Sequence, residues 1–298
     1  MQQVAHAKGP LVWLDLDQQE LDDAYDQTKY ALNRDQVIKR RIANSEQARA
    51  AIGEPLRVAY GPSEIEKLDI YRANEANAPV NVFIHGGAWR HNRARDYAAL
   101  AEPFVRGGAH FVIVDFTNVD ETGGDLMPLV AQVRRAVAWV YNNAESFGAD
   151  RDRLYLTGHS SGAHLGGCIV TTDWSKDKLP GSIVKGALLA SGMYDLKPVR
   201  LSKRSAYIKF TDDSEAALSA ARHLDKLATP LVLGYGTCET PEFQRQTRDF
   251  FAAVRAAGKP ATLLVGEGYN HFEMLETLAN PYGLLGRAAL AQMKPLRA

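Results

Sequence analysis

The sequence predicts an α/β protein, a mostly parallel central sheet with helices on both faces. Three observations carry that expectation. Short apolar runs alternate with longer stretches of helical spacing through most of the chain, the pattern of strands joined by crossover helices. Several of those runs are apolar at nearly every position, as in strands covered on both sides. And the pentapeptide Gly158-His159-Ser160-Ser161-Gly162 stands between an apolar run, Leu154-Tyr155-Leu156-Thr157, and a small-residue segment, Ala163-His164-Leu165-Gly166-Gly167. That order reads strand, tight turn, helix.

Taken in order, residues 15 to 52 are polar and charged with helical spacing, and read as one or two helices ending at Gly53-Glu54-Pro55. Leu21, Tyr25, Thr28 and Leu32 are expected on one face, continued by Val37, Ile38 and Ile42. This arm could cover the active site as a lid, or lie on the domain flank or at a homodimer contact. Leu56–Tyr60 and Leu68–Tyr71 alternate as an antiparallel hairpin around Gly61-Pro62. Val80–Ile84 is a buried strand that runs into His85-Gly86-Gly87-Ala88-Trp89. A charged helix from about Arg93 to Gly107 precedes the strand His110–Phe116. Leu126, Leu129, Val130, Val133, Val137 and Val140 mark one face of a long helix stopped near Gly148. After the Ser160 turn come a strand at Lys185–Ser191 and an irregular basic stretch at 196–225, read as a lid insertion. The strand Leu231–Tyr235, the helix Phe243–Ala257, the strand Ala261–Val265 and a closing helix from Phe272 complete the chain. With 298 residues and no internal repeat or linker, one domain over 1–298 is expected.

Composition excludes several classes of function. The formal net charge is zero, so nothing draws the whole chain to nucleic acid or an anionic membrane. No apolar run reaches the roughly 18 residues needed to span a bilayer. Met1–Pro10 shows no apolar leader core, which points to a cytoplasmic protein. The two cysteines, Cys168 and Cys238, are too few for a disulfide framework and read as reduced thiols. The eight histidines lack paired ligand spacing, so no metal site is expected.

The chemistry centres on Ser160. A G-x-S-x-G turn between strand and helix holds its serine in a strained backbone, with the hydroxyl projecting above the sheet. Such a serine needs a base to take its proton and an acid to orient the base, and in this arrangement they follow in the order acid, then histidine. Glu239 lies between a strand end and Thr240-Pro241, which read as helix N-cap and first helical residue. His271 lies after the last strand, in Gly266-Glu267-Gly268-Tyr269-Asn270-His271-Phe272, ahead of a helix. Asp195, after the preceding strand, is the rival acid. Glu242 falls inside the helix, where it suits the helix dipole. Gly86 and Gly87 offer unhindered backbone N–H groups, and with the N–H of Ser161 they form a candidate oxyanion hole. Trp89, Tyr194 and Phe272 are candidates to line the substrate pocket, a core position being the plainer reading of Trp89. His85 is expected to orient its loop. His159, which should project away from Ser160, and His164 read as structural, and Cys168 as a buried inert thiol. Lys197, Arg200, Lys203, Arg204 and Lys209 make a basic stretch: either a solvated lid surface or a weak attraction for a carboxylate-bearing substrate.

These residues resemble the arylformamidase (kynurenine formamidase) branch of the α/β-hydrolases, near the hormone-sensitive-lipase-like esterases. The resemblance rests on His85-Gly86-Gly87-Ala88-Trp89, Gly158-His159-Ser160-Ser161-Gly162-Ala163-His164-Leu165, Ser191-Gly192-Met193-Tyr194-Asp195-Leu196, Thr240-Pro241-Glu242-Phe243-Gln244-Arg245-Gln246 and Asn270-His271-Phe272, about the last three-quarters of the chain. It implies an α/β-hydrolase fold with Ser160 as nucleophile, Glu239 as acid and His271 as base. Members often carry aspartate at the acid position, so glutamate is a departure that still orients an imidazole. The activity implied is cleavage of N-formylkynurenine or related small aryl amides and esters, without metal or cofactor. A small-acyl carboxylesterase is the near alternative. A non-catalytic binding protein, or a cofactor-using enzyme on the same fold, are the readings outside that class.

Overall fold

In the computed structural model residues 8–293 are described; the leader reading of Met1–Pro10 falls mostly outside them. The order begins with β1 (Leu11–Trp13), β2 (Leu16–Asp17), α1 (Gln18–Ala24) and α2 (Arg34–Ile52). The hairpin β3 (Leu56–Ala59) and β4 (Lys67–Tyr71) follows, then β5 (Ala78–Ile84), α3 (Ala101–Arg106), β6 (His110–Val114) and α4 (Met127–Asn143). The second half holds β7 (Ala149–His159), α5 (Ser161–Val170), β8 (Gly186–Ala190), α6 (Lys197–Leu201) and α7 (Asp212–Leu218). It closes with β9 (Leu231–Gly236), α8 (Pro241–Ala256), β10 (Ala261–Gly266), α9 (His271–Glu276) and α10 (Leu284–Met293).

Eight of the strands form one sheet in the order β10-β9-β8-β7-β5-β6-β4-β3. The six from β10 to β6 run parallel, and the β3–β4 hairpin joins β6 antiparallel, with Leu56 opposite Ile70. Residues two apart along a strand share a face. Val82 and Ile84 of β5 and Leu189 of β8 therefore pack with Val133 and Val137 of α4 and Phe250 of α8. Phe83 of β5 and Leu188 of β8 point the other way, onto Phe104 of α3, Leu275 of α9 and Leu285 of α10. Both faces are consumed, which is why the strands read as continuous apolar runs.

This topology fixes where the chemistry can sit. From β5 the chain goes to β6 on one side and then returns to β7 on the other, so the C-terminal ends of β5 and β7 flank a point where strand order reverses. Loops leaving such a point diverge and open a crevice. The glycine loop leaves β5 there and the Ser160 turn leaves β7, while Glu239 and His271 follow the neighbouring strands β9 and β10.

The arm differs in one respect from the helical spacing. α1 stops at Ala24, a 3₁₀ turn follows at Gln27–Lys29, and α2 begins only at Arg34. Leu21 and Tyr25 are buried as expected, but Thr28 is exposed and Leu32 is 98% exposed. The break rotates the chain away from the face that a continuous helix would have kept. The segment 196–225, read as irregular, contains the short helices α6 and α7. α7 is closed at its start by a reciprocal capping pair, Thr211 with Ser214. The charged stretch after residue 93 is a 3₁₀ helix, Ala94–Leu100, before α3.

Candidate active site

Ser160 takes φ 59° and ψ −127°, a conformation costly for any residue with a Cβ, held because β7 ends directly into α5. The close approach this demands depends on glycine. A Cβ on Gly162 would press into the carbonyl oxygens of Ile84 and His85, and one on Gly86 would meet Ser160 Cβ and His159 O at 2.9 Å. The Ser160 hydroxyl lies 2.9 Å from His271 Nε2, and His271 Nδ1 lies 2.7 Å from Glu239 Oε2. Since a carboxylate only accepts, Nδ1 carries the proton and Nε2 faces the hydroxyl as an acceptor.

Each partner is held in turn. Glu239 is 1% exposed, and its second oxygen accepts from Ser191 Oγ at 2.6 Å and from the Gly236 amide at 2.7 Å. Those bonds satisfy a buried carboxylate and aim the other oxygen at the imidazole. The acid turn is laced to the histidine turn by the amide of Cys238 donating to Tyr269 O and that of Thr237 to Gly266 O. His271 opens α9 as its first residue; Asn270 caps that helix by accepting from the amides of Phe272 and Glu273. The edge-on ring of Phe243 sits 5.0 Å from the imidazole. Asp195, the rival acid, instead accepts from Arg222 and caps the Lys197 amide. Thr240 has N-cap backbone geometry, yet its hydroxyl makes no capping bond. Glu242 sits in the first turn of α8, where it is buried against Tyr25 and Arg245.

The loop after β5 is the second strained segment. Gly87, Ala88 and Trp89 have φ values of 120°, 54° and 62° in succession, three positive values in a row. The amides of Gly86 and Gly87 donate to no acceptor among the described residues. Asn92 Nδ2 braces the Gly86 carbonyl at 3.1 Å, and the Trp89 amide donates to Ser161 Oγ at 3.2 Å, joining this loop to the Ser160 turn. His85 orients the loop as expected: its Nδ1 donates to Gly86 O, its ring is stacked between Phe116 and Tyr97, and burial holds its pKa down.

Three residues read differently from the sequence. His159 does not point away from the site. Its Nε2 donates to His271 O at 2.9 Å, and the two rings lie 4.6 Å apart. Burial, then the neighbouring His271, hold its pKa well below the ordinary value, so it is a neutral brace on the base. Tyr194 is not a pocket wall: its ring stacks on Phe250 at 4.2 Å and its hydroxyl donates to Leu189 O, within the core. Ser191, which holds Glu239, was not a sequence candidate; its φ of 56° at a strand end is the signature that sequence conceals. The other candidates stand nearer the site. Trp89 is 2% exposed and its indole donates to His164 Nδ1, the core position that was its plainer reading. His164 donates its Nε2 proton to Leu218 O, and burial pushes its pKa down to about 4. Phe272 is half-buried, edge-on to His271 at 5.4 Å, and faces a cavity of about 70 Å³ between α2 and α9.

Among the described residues no cluster of histidine, cysteine, aspartate or glutamate is set to hold a metal ion, and no helix is long and apolar enough to cross a membrane. Cys168 is buried, its pKa pushed up to about 12 by that burial, and Cys238 is exposed; neither is paired. A larger cleft of about 1160 Å³ beside the hairpin is lined by residues such as Arg57, Asp69, Arg93 and Asp115. Arg57 is paired there with both Asp69 and Asp115, and none of Ser160, Glu239 and His271 borders it.

Comparison with known proteins identifies the family. Residues 68–189 match the family described as BD-FAE. The kynurenine formamidase of Salmo salar is 30% identical over 282 residues, covering 90% of this chain and 94% of that one. That of Danio rerio is 29% identical over 93% of this chain and 97% of its own. Among solved structures, an esterase of Pyrobaculum calidifontis superposes with a TM-score of 0.72 at 17% identity, covering 93% of this chain and 97% of that chain, a likeness of fold. The chain belongs to the kynurenine formamidase family of the α/β-hydrolases and is a hydrolase of amide or ester bonds.

Proposed function

We propose that the protein is an aryl formamidase, acting on N-formylkynurenine or a closely related aryl amide through a Ser160–His271–Glu239 triad. The observation that carries this reading is the hydrogen-bonded chain from Ser160 Oγ to His271 Nε2 and from His271 Nδ1 to Glu239 Oε2. Ser160 Oγ attacks the formyl carbonyl carbon while His271 Nε2 takes its proton. Glu239 stays ionised and steadies the imidazolium. The carbonyl oxygen, now carrying the negative charge, takes hydrogen bonds from the amides of Gly86, Gly87 and Ser161. As the tetrahedral intermediate collapses, His271 gives its proton to the aniline nitrogen and the C–N bond breaks. Water, deprotonated by His271, then cleaves the formyl ester, releasing formate and restoring the Ser160 hydroxyl.

The same reading treats residues 15–52 and 196–225 as lid segments of a single domain. It is supported by Asn33, which ties α2 to Asn270 and Glu273 at the histidine turn, and by Arg40, which pairs with Glu276 of α9. A cytoplasmic location fits the unpaired thiols Cys168 and Cys238. The test is kcat/KM for N-formylkynurenine beside p-nitrophenyl acetate, with Ser160→Ala as control. The expected result is a strong preference for the formamide and a loss of about 10⁴-fold or more on both substrates in the variant. Turnover of the activated ester alone would leave the triad in place and move the substrate to small-acyl esters. Retention of substantial activity by Ser160→Ala would remove the triad.

A further inference from the structure

The basic stretch at residues 197–209 divides in the folded chain. Arg200 pairs with Asp212 and Glu215, Lys203 with Asp26, and Lys209 is exposed. Arg204 is the exception. It is 8% exposed and forms no ion pair with a carboxylate among the described residues. Its guanidinium has five N–H donors. Nη1 donates to Tyr207 Oη at 3.2 Å, Nη2 donates to Tyr25 O at 3.1 Å, and the buried Nε has no acceptor. Burying a cation with a spare donor is costly, and a ligand that accepts from it would offset that cost.

The surroundings say which ligand. The Arg204 guanidinium carbon lies 5.6 Å from the ring centre of Trp89, 5.8 Å from that of Tyr25 and 5.9 Å from that of Phe243. Trp89 belongs to the loop that faces Ser161, and Phe243 packs edge-on against His271. The cation is therefore one aromatic ring removed from the imidazole of the site. The nearby carboxylate Glu242 is already matched by Arg245 and Tyr25. A planar cation packed against three rings beside the site suits an aromatic molecule with a single carboxylate, which accepts from a guanidinium through both oxygens. We propose that Arg204 is a specificity-determining residue that anchors the carboxylate of an aromatic substrate while its amide or ester carbonyl lies at Ser160. The proposal rests on the hydrolase reading of that site and adds the charged end of its substrate.

A matched pair of substrates tests it on the full chain. N-formylkynurenine and N-formylkynuramine share the aryl formamide and the amino group, and only the first has a carboxylate. Wild-type kcat/KM should favour N-formylkynurenine by about a hundredfold. In Arg204→Gln that ratio should fall to within about threefold of unity, chiefly through a rise in KM for the carboxylated member, while Arg204→Lys should keep part of the preference. A ratio left unchanged in Arg204→Gln, by equal losses or by none, would overturn the anchor and leave Arg204 a packing residue. Should Arg204→Gln not fold, the wild type and Arg204→Lys carry the test, and a wild type that ignores the carboxylate overturns the proposal. Should neither formamide turn over while p-nitrophenyl acetate does, it is the formamide chemistry that has failed. The anchor is then read from inhibition of ester turnover by kynurenine against kynuramine. A wild-type preference for kynurenine that Arg204→Gln abolishes supports it, and equal inhibition overturns it.

Discussion

At Glu239 one side chain serves three donors, and each can be removed separately. Glu239→Gln would set an amide against the Nδ1–H of His271 and disturb the tautomer that leaves Nε2 free to accept from Ser160. Under the proposed mechanism kcat should fall by about 10³- to 10⁴-fold with little change in folding, as measured by steady-state kinetics beside circular dichroism. Ser191→Ala removes a bond of 2.6 Å to the same carboxylate but leaves the Gly236 amide in place. The expected cost is about 1–2 kcal/mol in stability by urea titration, with a fall in kcat of about tenfold. The meeting of Ser160, Glu239 and His271 could be read from sequence because each stands in the turn that follows a strand, where glycines or capping residues announce it. Ser191 and His159 could not. Ser191 acts through a left-handed backbone that no residue type signals, and His159 through a ring direction set by the strand it ends.

Among the elements, the turn from β7 into α5 works by contact distance. Gly162→Ala would drive a methyl group into the backbone of β5, which cannot yield without moving the loop that carries Gly86 and Gly87. A loss of about 3 kcal/mol or more is expected, seen as a lower thermal midpoint together with lost turnover. The strands were legible because two-sided burial leaves an apolar residue at nearly every position. The arm was legible as helical but not in its face, since the helix break after Ala24 is written in tertiary contacts: Tyr25 Oη donates to Glu242, and Gln246 Nε2 donates to Tyr25 Oη. α6 and α7 were missed because short helices take their stability from the surface they cover and carry little periodic signal of their own.

For the whole molecule, four buried histidines set the response to acid. His85, His110, His159 and His164 all have pKa values lowered, in each case first by burial, His164 to about 4. The unfolded chain binds protons at these positions near the ordinary value of about 6.5, whereas the folded chain binds them only at lower pH. Folding stability should therefore be steady above neutrality and fall as the pH drops from about 6.5 toward 4. Urea midpoints across that range measure it, and His164→Gln should flatten part of the slope. The arm also carries a consequence for how the chain is made. Tyr25 docks on Glu242, 217 residues further along, and Asn33 on Glu273, 240 residues further along. At roughly 10 residues per second the arm leaves the ribosome some 20 seconds before its seat exists. A nascent chain thus cannot seat the arm against its histidine turn early, and hydrolytic competence waits until Glu242 and Glu273 have both been made.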